Sequence, residues 1–302
     1  TSFEPLFDDA ASITLGAVAY HNPSNRIWVG TGEVNSSRSS YAGTGIYSSN
    51  DNGETWNHLG LEETQHIGRI QLDPVNSEVA YVAALGPLYS TNQSGGIYRT
   101  RDGGESWQKI LEVEGDHGVA GGVDLILDPL DASHLFAATW DRTRRAWDFA
   151  GNGSGSRIWE STDGGDTWSD LSKLAGFPQS EFTGRIGLSW HAESKQLFAL
   201  VDNQTPQTPE KVETDAYRAE DFRSMNAASF AKLDTQLMAD FLEENNFPTE
   251  LNATDIFEKV GDGVLEPIAL HDYLTDGNRA LFEAEIVGAE VYRFDAAKRQ
   301  DW

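Results

Sequence analysis

Apolar residues fall in short runs separated by clusters of turn-forming residues, and the order of the runs repeats. Residues 15–21 (Leu-Gly-Ala-Val-Ala-Tyr-His) are closed by Asn22-Pro23-Ser24-Asn25, and a second run follows at 26–32. Runs of this length, bounded by Gly, Pro, Asn and Ser, read as strands. Gly45-Ile46-Tyr47 opens a third strand and 57–61 a fourth. The same order returns at 66–74, 79–85, 96–98 and 108–112, and again at 122–129, 134–140, 157–159 and 169–174. A last round begins with 184–188 and 197–201. Four short strands per repeat predict the blade of a β-propeller, so the chain is expected to be all-β.

The pattern breaks after Asp202. Residues 206–285 carry 18 acidic and 6 basic side chains. Within them Phe230, Leu233, Leu237, Phe241 and Leu242 are spaced three to four apart, which predicts one amphipathic helix over 224–245, stopped by Asn246 and Pro248. Residues 254–260 and 268–274 predict shorter helices, and strand character resumes at 289–293. The expected organisation is therefore propeller blades over 1–205, an acidic and largely helical insertion over 206–285 in a loop of the fourth blade, and a return to the propeller over 286–302.

Between the third and fourth strands of a repeat stands an eight-residue box. It reads Ser49-Asn50-Asp51-Asn52-Gly53-Glu54-Thr55-Trp56, then Thr100-Arg101-Asp102-Gly103-Gly104-Glu105-Ser106-Trp107, then Ser161-Thr162-Asp163-Gly164-Gly165-Asp166-Thr167-Trp168. The tryptophans recur at roughly 50 to 60 residues, a propeller-like period. Asp51, Asp102 and Asp163 can accept hydrogen bonds from the turn backbone. Gly53, Gly104 and Gly165 supply positive φ. Trp56, Trp107 and Trp168 offer a broad face for packing between sheets. These nine residues read as structural staples. In the fourth repeat the box is damaged: Phe294 replaces Ser, Ala296 replaces Asp, and Trp302 arrives one residue late.

The boxes resemble the Asp-box, or bacterial neuraminidase, repeat. The wider phrasing, Trp28-Val29-Gly30-Thr31-Gly32-Glu33, His66-Ile67-Gly68-Arg69-Ile70 and Gly288-Ala289-Glu290-Val291-Tyr292-Arg293, is similar to that of sortilin-like, glycosyl-hydrolase-type bacterial propeller proteins. The resemblance implies a ring of about seven blades, so the missing blades are expected from another segment or another chain. It implies a secreted or periplasmic protein, and either a recognition module for peptide or carbohydrate or a glycoside hydrolase of sialidase-like or xyloglucanase-like scaffold. A sialidase reading implies an Arg-Ile-Pro segment; here Arg69-Ile70 and Arg185-Ile186 are followed by Gln71 and Gly187.

Composition narrows the partners. With 22 basic and 48 acidic residues the formal charge is -26, which repels nucleic acid and anionic membranes. There is no cysteine, so thiolate metal sites and cysteine nucleophiles are excluded. No apolar run of about 18 residues predicts a membrane span, and the N-terminus does not read as a signal peptide. No motif predicts a metal or a cofactor.

In a propeller, the loops after the second strand of each blade share one face and the box turns lie on the other. Residues 33–42, 86–95 and 141–156 are such loops, and binding residues gather in loops on a rigid scaffold. The insertion is a fourth and would cap that face. Trp140-Asp141-Arg142-Thr143-Arg144-Arg145-Ala146-Trp147 stands out, with Arg142, Arg144 and Arg145 beside Trp140 and Trp147 in an acidic chain. It reads either as an anion or sugar subsite or as a loop salt-bridged to the acidic insertion. Anchoring each repeat on its first turn puts Arg69, Asp124 and Arg185 in one row on the channel-lining strands, with Val18 as the apolar member. That row is either a wet Arg–Asp network or a polar ligand site, and His66 lies near it. Glu33, Asp124 and Asp141 are candidate acids for a two-carboxylate hydrolase, whose acids stand about 5 Å or about 6.5–9.5 Å apart.

Overall fold

In a computed structural model the protein is described over its 302 residues except 1–3, 9–11, 179–180, 208–215, 249–250, 275–285 and 300. The chain divides into two compact units. One comprises Thr1–Thr205 with Val287–Trp302, and the other is Pro206–Ile286.

The first unit is a β-propeller arc of antiparallel meanders. Its first blade is β1 (Leu15–His21), β2 (Arg26–Thr31), β3 (Ile46–Ser49) and β4 (Asn57–His58), paired in that order. The second is β5 (Ile67–Leu72), β6 (Ala80–Ala84), β7 (Gly96–Thr100) and β8 (Gln108–Leu111). A two-stranded ladder, β9 (Glu114–Gly115) with β10 (Gly118–Val119), leads into the third blade. That blade orders β11 (Gly121–Asp128) and β12 (Asp131–Trp140) before β15 (Ile158–Ser161) and β16 (Ser169–Asp170), with the small hairpin β13 (Thr143–Arg144) and β14 (Phe149–Ala150) in its long loop. The fourth blade has β17 (Thr183–His191), β18 (Gln196–Pro206) and β19 (Ile286–Asp295). The outer strands are shorter than the sequence pattern predicts: β4 stops at His58, and β16 gives way to a 3₁₀ turn over Leu171–Lys173.

Strand alternation explains how blades stack. In β6 every residue is buried, and the two sides of the strand face different neighbours. Ala80, Val82 and Ala84 pack with Trp28, Ile46 and Ile67 toward the first blade. Tyr81 and Ala83 pack with Leu125, Leu135 and Ala137 toward the third. Phe136 and Ala138 in turn meet Ile186, Leu197, Ala199 and Val201 of the fourth. Small residues at the inner positions let the sheets approach closely.

The box turns close each blade. Ser49 Oγ donates to Asp51 Oδ1 (2.7 Å) and accepts from Gly53 N (2.8 Å), while Thr55 N and Oγ1 donate to the two Asp51 oxygens (2.9 and 2.6 Å). The same set recurs at Thr100–Asp102–Ser106 and Ser161–Asp163–Thr167. Gly53, Gly104 and Gly165 have φ of 92°, 96° and 88°. Each is pressed against an apolar residue at the start of the junction, Leu6, Leu59 and Ile110. In the first two boxes the indole N–H reaches back to the preceding outer segment, Trp56 to Leu6 O (2.6 Å) and Trp107 to Leu59 O (2.7 Å), while Trp168 Nε1 in the third is buried without a hydrogen-bond partner. Trp302, despite its late position, donates to Leu171 O (2.9 Å). The damaged fourth box keeps a turn in which Asp295 Oδ1 accepts from Ala297 N and Lys298 N. In the N-terminal segment, Leu6 and Phe7 pack on this box face.

A guanidinium clamps each junction on the same side. Arg26 donates to Gly103 O (2.7 Å) and Arg99 to Gly164 O (2.6 Å), both in the next blade's box turn. At the third junction the polarity reverses, and Arg299 donates to Glu160 Oε2 (2.5 Å).

Pairing corrects the row of channel residues. Arg69 pairs with Ala83 and Asp124 with Ala138, and the matching pairs are Ala17 with Gly30 and Gly187 with Leu200. Val18 therefore faces the other way, and Arg185 sits earlier, in the irregular stretch between Thr183 and Ile186. Each inner strand carries one extra residue against its partner, and in β17 it falls earlier, between Thr183 and Ile186, which shifts the residues beside it against the other inner strands.

The second unit is helical: α1 (Ala219–Phe222), α2 (Ala227–Phe230), α3 (Thr235–Glu244), α4 (Ala253–Gly261) and α5 (Ile268–Leu274). The single helix expected over 224–245 is broken, because Asp234 accepts from Gln236 N (2.8 Å) and Leu237 N (3.0 Å) and starts α3 anew. Phe222, Phe230, Met238, Phe241, Ile256, Val260 and Leu270 form its own core. No described helix is long and apolar enough to cross a membrane.

Candidate functional site

Three consecutive loops, 33–42, 86–95 and 141–156, leave the second strands of the first three blades at the end opposite the box turns. Each is held by its own buried polar hub or backbone contact. In loop 86–95 Asn92 donates to Leu85 O (2.8 Å) and Val119 O (2.7 Å) and accepts from Gly95 N (2.9 Å). Gly86, at φ 77°, passes so close that a Cβ would strike the Asn92 amide. In loop 141–156 the buried Asp141 carboxylate accepts from Asp116 N (2.6 Å), His117 N (3.3 Å) and Gly155 N (3.2 Å). Trp140 Nε1 donates to Gly151 O (2.7 Å). In the β13–β14 hairpin Arg145 N donates to Asp148 O (2.8 Å), placing Trp147 in the turn with 77% of its surface exposed.

The loops are tied to one another. Arg144 Nε donates to Ser36 O (2.6 Å) while its guanidinium lies 4.1 Å from the Phe149 ring centroid. Tyr89 Oη donates to Arg38 O (2.8 Å). Exposed aromatics project from all three loops: Tyr41, Tyr89 and Trp147. Tyr41 and Tyr89 were not singled out in the sequence. The available signal was an aromatic among serines and turn residues, which alone does not separate exposure from packing.

Behind this rim lies a cationic cluster. Arg142 is buried, and its guanidinium is 5.6 Å from the Trp140 ring, with Arg185 at 5.5 Å from the same ring. Arg142 donates to Gly86 O (3.3 Å), and its Nε has no partner. Burial, together with Arg185 and Arg144, holds the Arg142 pKa down to about 10, and no carboxylate opposes that shift. Burial also lowers Arg185, against which Asp124 pulls upward. His66 is buried, and burial, then the charge of Arg142, push its pKa down to about 4, so the imidazole is neutral at physiological pH. Its ring hydrogen-bonds the Glu33 backbone, while Nδ1 has no partner.

The three candidate acids stand apart in environment. Asp124 accepts from Arg69 Nε (2.8 Å), Leu125 N (2.9 Å) and Leu188 N (2.8 Å), so it stitches three inner strands. Asp141 is filled by backbone N–H groups. Glu33 is half-buried at the mouth of β2 and accepts from Asn35 Nδ2 (3.2 Å). The structure thus brings together Glu33, His66, Arg142, Arg144, Arg185 and Trp140. It leaves Arg145 and Trp147 at the hairpin tip, and Arg69 half-exposed beside Asp124. A separate cavity of about 340 Å³ is lined by Ser154, Arg157, Lys173, Glu181 and Thr183. Among the described residues no group of three or more His, Asp or Glu side chains is placed to hold a metal.

Comparison with known proteins adds sequence and fold likeness. The chain is 33% identical over 147 residues to the xyloglucanase Xgh74A of Acetivibrio thermocellus, a match covering 44% of this chain and 15% of that protein. Among solved structures, an ancestral GH74 enzyme matches with a TM-score of 0.47 and 18% identity, over 68% of this chain and 24% of that one. YCF48 from Cyanidioschyzon merolae matches with a TM-score of 0.39 and 16% identity, over 68% and 57%. A family model described as sortilin, neurotensin receptor 3, matches residues 44–248, more than half of the chain. With its four-stranded blades, the chain belongs to the Sortilin-Vps10 family.

Proposed function

We propose that this chain is a recognition propeller that binds an extended ligand, peptide or carbohydrate, on its loop face, and holds an anionic group of that ligand between Arg142 and Arg185. The observation that carries this reading is the buried Arg142 guanidinium with no carboxylate against it. Burying an unpaired cation costs several kcal/mol, so the site is built for a charge that the ligand brings. Arg is suited to the task because its planar fork binds carboxylate or sulfate bidentately. The exposed Tyr41, Tyr89 and Trp147 supply flat apolar faces around it. The outward faces of the first and fourth blades, where Val18, Leu200 and Val291 are exposed, are covered in this reading by further blades from another segment or chain. The protein works outside the cytoplasm, secreted or periplasmic.

A glycoside hydrolase is the second reading, favoured by the 33% identity with a xyloglucanase. Against it, Asp124 and Asp141 already spend their lone pairs on Arg69 and backbone N–H groups. One experiment separates the two: a glycan array and a panel of peptides with free or amidated C-termini, run beside chromogenic glycosides. Recognition predicts capture of carboxylated or sulfated members, lost in Arg142→Met, with no turnover. Turnover that disappears in Glu33→Gln overturns it.

A further inference from the structure

The helical unit contains an apolar cleft that the loop face does not use. It opens where α3 ends and α4 begins. Asn246, at φ 54°, turns the chain out of α3, with Phe247 N bonded to Leu242 O (3.0 Å) and Asn246 N to Glu243 O (3.1 Å). This is the Schellman arrangement, which folds Phe247 back onto Leu242. Asn252 then caps α4 by accepting from Asp255 N (3.0 Å). Between these turns lies a cavity of about 470 Å³ floored by Ala239, Leu242, Phe247 and Leu251, with Glu243 and Asn246 at its lip. Phe247 is stacked at 4.4 Å and 26° on Tyr273, itself 53% exposed. The volume is in the range of ligand-binding clefts, about 300–1,000 Å³.

The lip carries an unbalanced charge. Glu243 and Glu244 fill the last turn of α3, which has no basic residue, and both are exposed. Acidic side chains at a helix C-terminus add to the negative end of the helix dipole instead of opposing it. No ion pair is formed by Asp240, Glu243 or Glu244 among the described residues. Residues 206–285 as a whole hold 18 acidic and 6 basic side chains.

We infer that this cleft docks a cationic amphipathic segment of a partner protein, whose apolar side chains enter between Ala239, Leu242, Phe247 and Leu251 while adjacent Lys or Arg residues meet Glu243, Glu244 and the carbonyl end of α3. Helix-in-groove recognition joins these two ingredients, an apolar slot and complementary charge at its edge. The same acidity rejects anionic surfaces and nucleic acid.

The test uses the whole chain and two probes, a short amphipathic Leu/Lys peptide and its Leu/Glu counterpart, followed by calorimetry. The Leu/Lys peptide is expected to bind, with affinity that falls as salt rises, and the Leu/Glu peptide is expected not to. Glu243→Lys with Glu244→Lys is expected to weaken binding about tenfold or more, about 1.4 kcal/mol. Ala239→Trp, which fills the cleft from a half-buried position on its floor, is expected to weaken it similarly without changing the helical melting curve. Should Ala239→Trp misfold, the charge reversal alone decides. No binding of the Leu/Lys peptide, equal binding of both peptides, or undiminished binding by the charge-reversed variant overturns the proposal.

Discussion

Arg142 and Arg185, from neighbouring blades, hold their guanidinium carbons 5.6 and 5.5 Å from the ring centroid of the same indole, Trp140. Two like charges converge on one indole, and the deeper one has no anion. A site of this kind trades stability for binding. Arg142→Met keeps the volume and removes the buried charge, so the free protein is expected to gain about 1–4 kcal/mol and to lose capture of anionic ligands. Urea unfolding measures the first and the array the second. A clear loss of stability in Arg142→Met would show that the guanidinium is already compensated.

The opposite face answers to pH. Hydrogen bonds from Thr55, Ser106 and Thr167 hold Asp51, Asp102 and Asp163 at about 2, below their ordinary value of 3.8. A carboxylate with a depressed folded pKa contributes stability that is present above its unfolded value and lost as pH falls through the folded one. Acid unfolding is therefore expected to steepen between about pH 4 and pH 2. Asp102→Asn with Asp163→Asn should lower stability at pH 7 and flatten the curve in that window. Ligand capture at pH 7 should be unchanged, because the box turns lie opposite the loop face.

The propeller was legible because its signal is repeated. Strand runs, Asp-containing turns and Trp each occur several times, and one slip does not hide the period. The family resemblance pointed to the same fold. The site was legible only in part. Arg142, Arg144 and Trp140 stood out as basic and aromatic residues in an acidic chain. The inward reach of Arg142, against the solvent-facing Arg145 three residues on, depends on the β13–β14 hairpin, which two-residue strands do not announce. Arg185 falls in a row with Arg69 when each repeat is anchored on the turn that follows its first strand. Pairing shows otherwise, since strand irregularities shift register without altering local composition. The break between α2 and α3 rests on one cap, Asp234, inside an unbroken helical period.

The third blade junction carries a different pH response. His134 lies between Glu160 (3.0 Å) and Asp128 (3.4 Å), and Glu160 is also held by Arg299. Burial opposes its charge, but hydrogen bonds and attraction from Glu160 and Asp128 outweigh it, so the His134 pKa is raised. A raised folded pKa gives stability that is full below the unfolded value, near 6.5, and lost as pH climbs through the folded one. Thermal melts are expected to fall as pH rises above neutrality. His134→Gln should start lower at pH 6 and show a flatter profile. An unchanged slope would mean that the imidazole is neutral throughout.

The exposed aromatics make the last test, because their contribution to folding and to binding should separate. Tyr41 and Trp147 are 58% and 77% exposed, and surface substitutions away from special contacts usually change stability by less than about 0.5 kcal/mol. Tyr89 differs, since its hydroxyl ties loop 86–95 to Arg38 O, so Tyr89→Phe should loosen that loop while keeping its ring. Tyr41→Ala and Trp147→Ala are expected to melt with the native protein yet each weaken the ligand found on the array about five- to tenfold, or roughly 1 kcal/mol. Hydrogen exchange in residues 33–42 should rise in Tyr89→Phe and stay native in Trp147→Ala. If Trp147→Ala binds as tightly as the native chain, the ligand does not extend from the arginine cluster onto the hairpin tip, and recognition is confined to Arg142, Arg185 and Trp140.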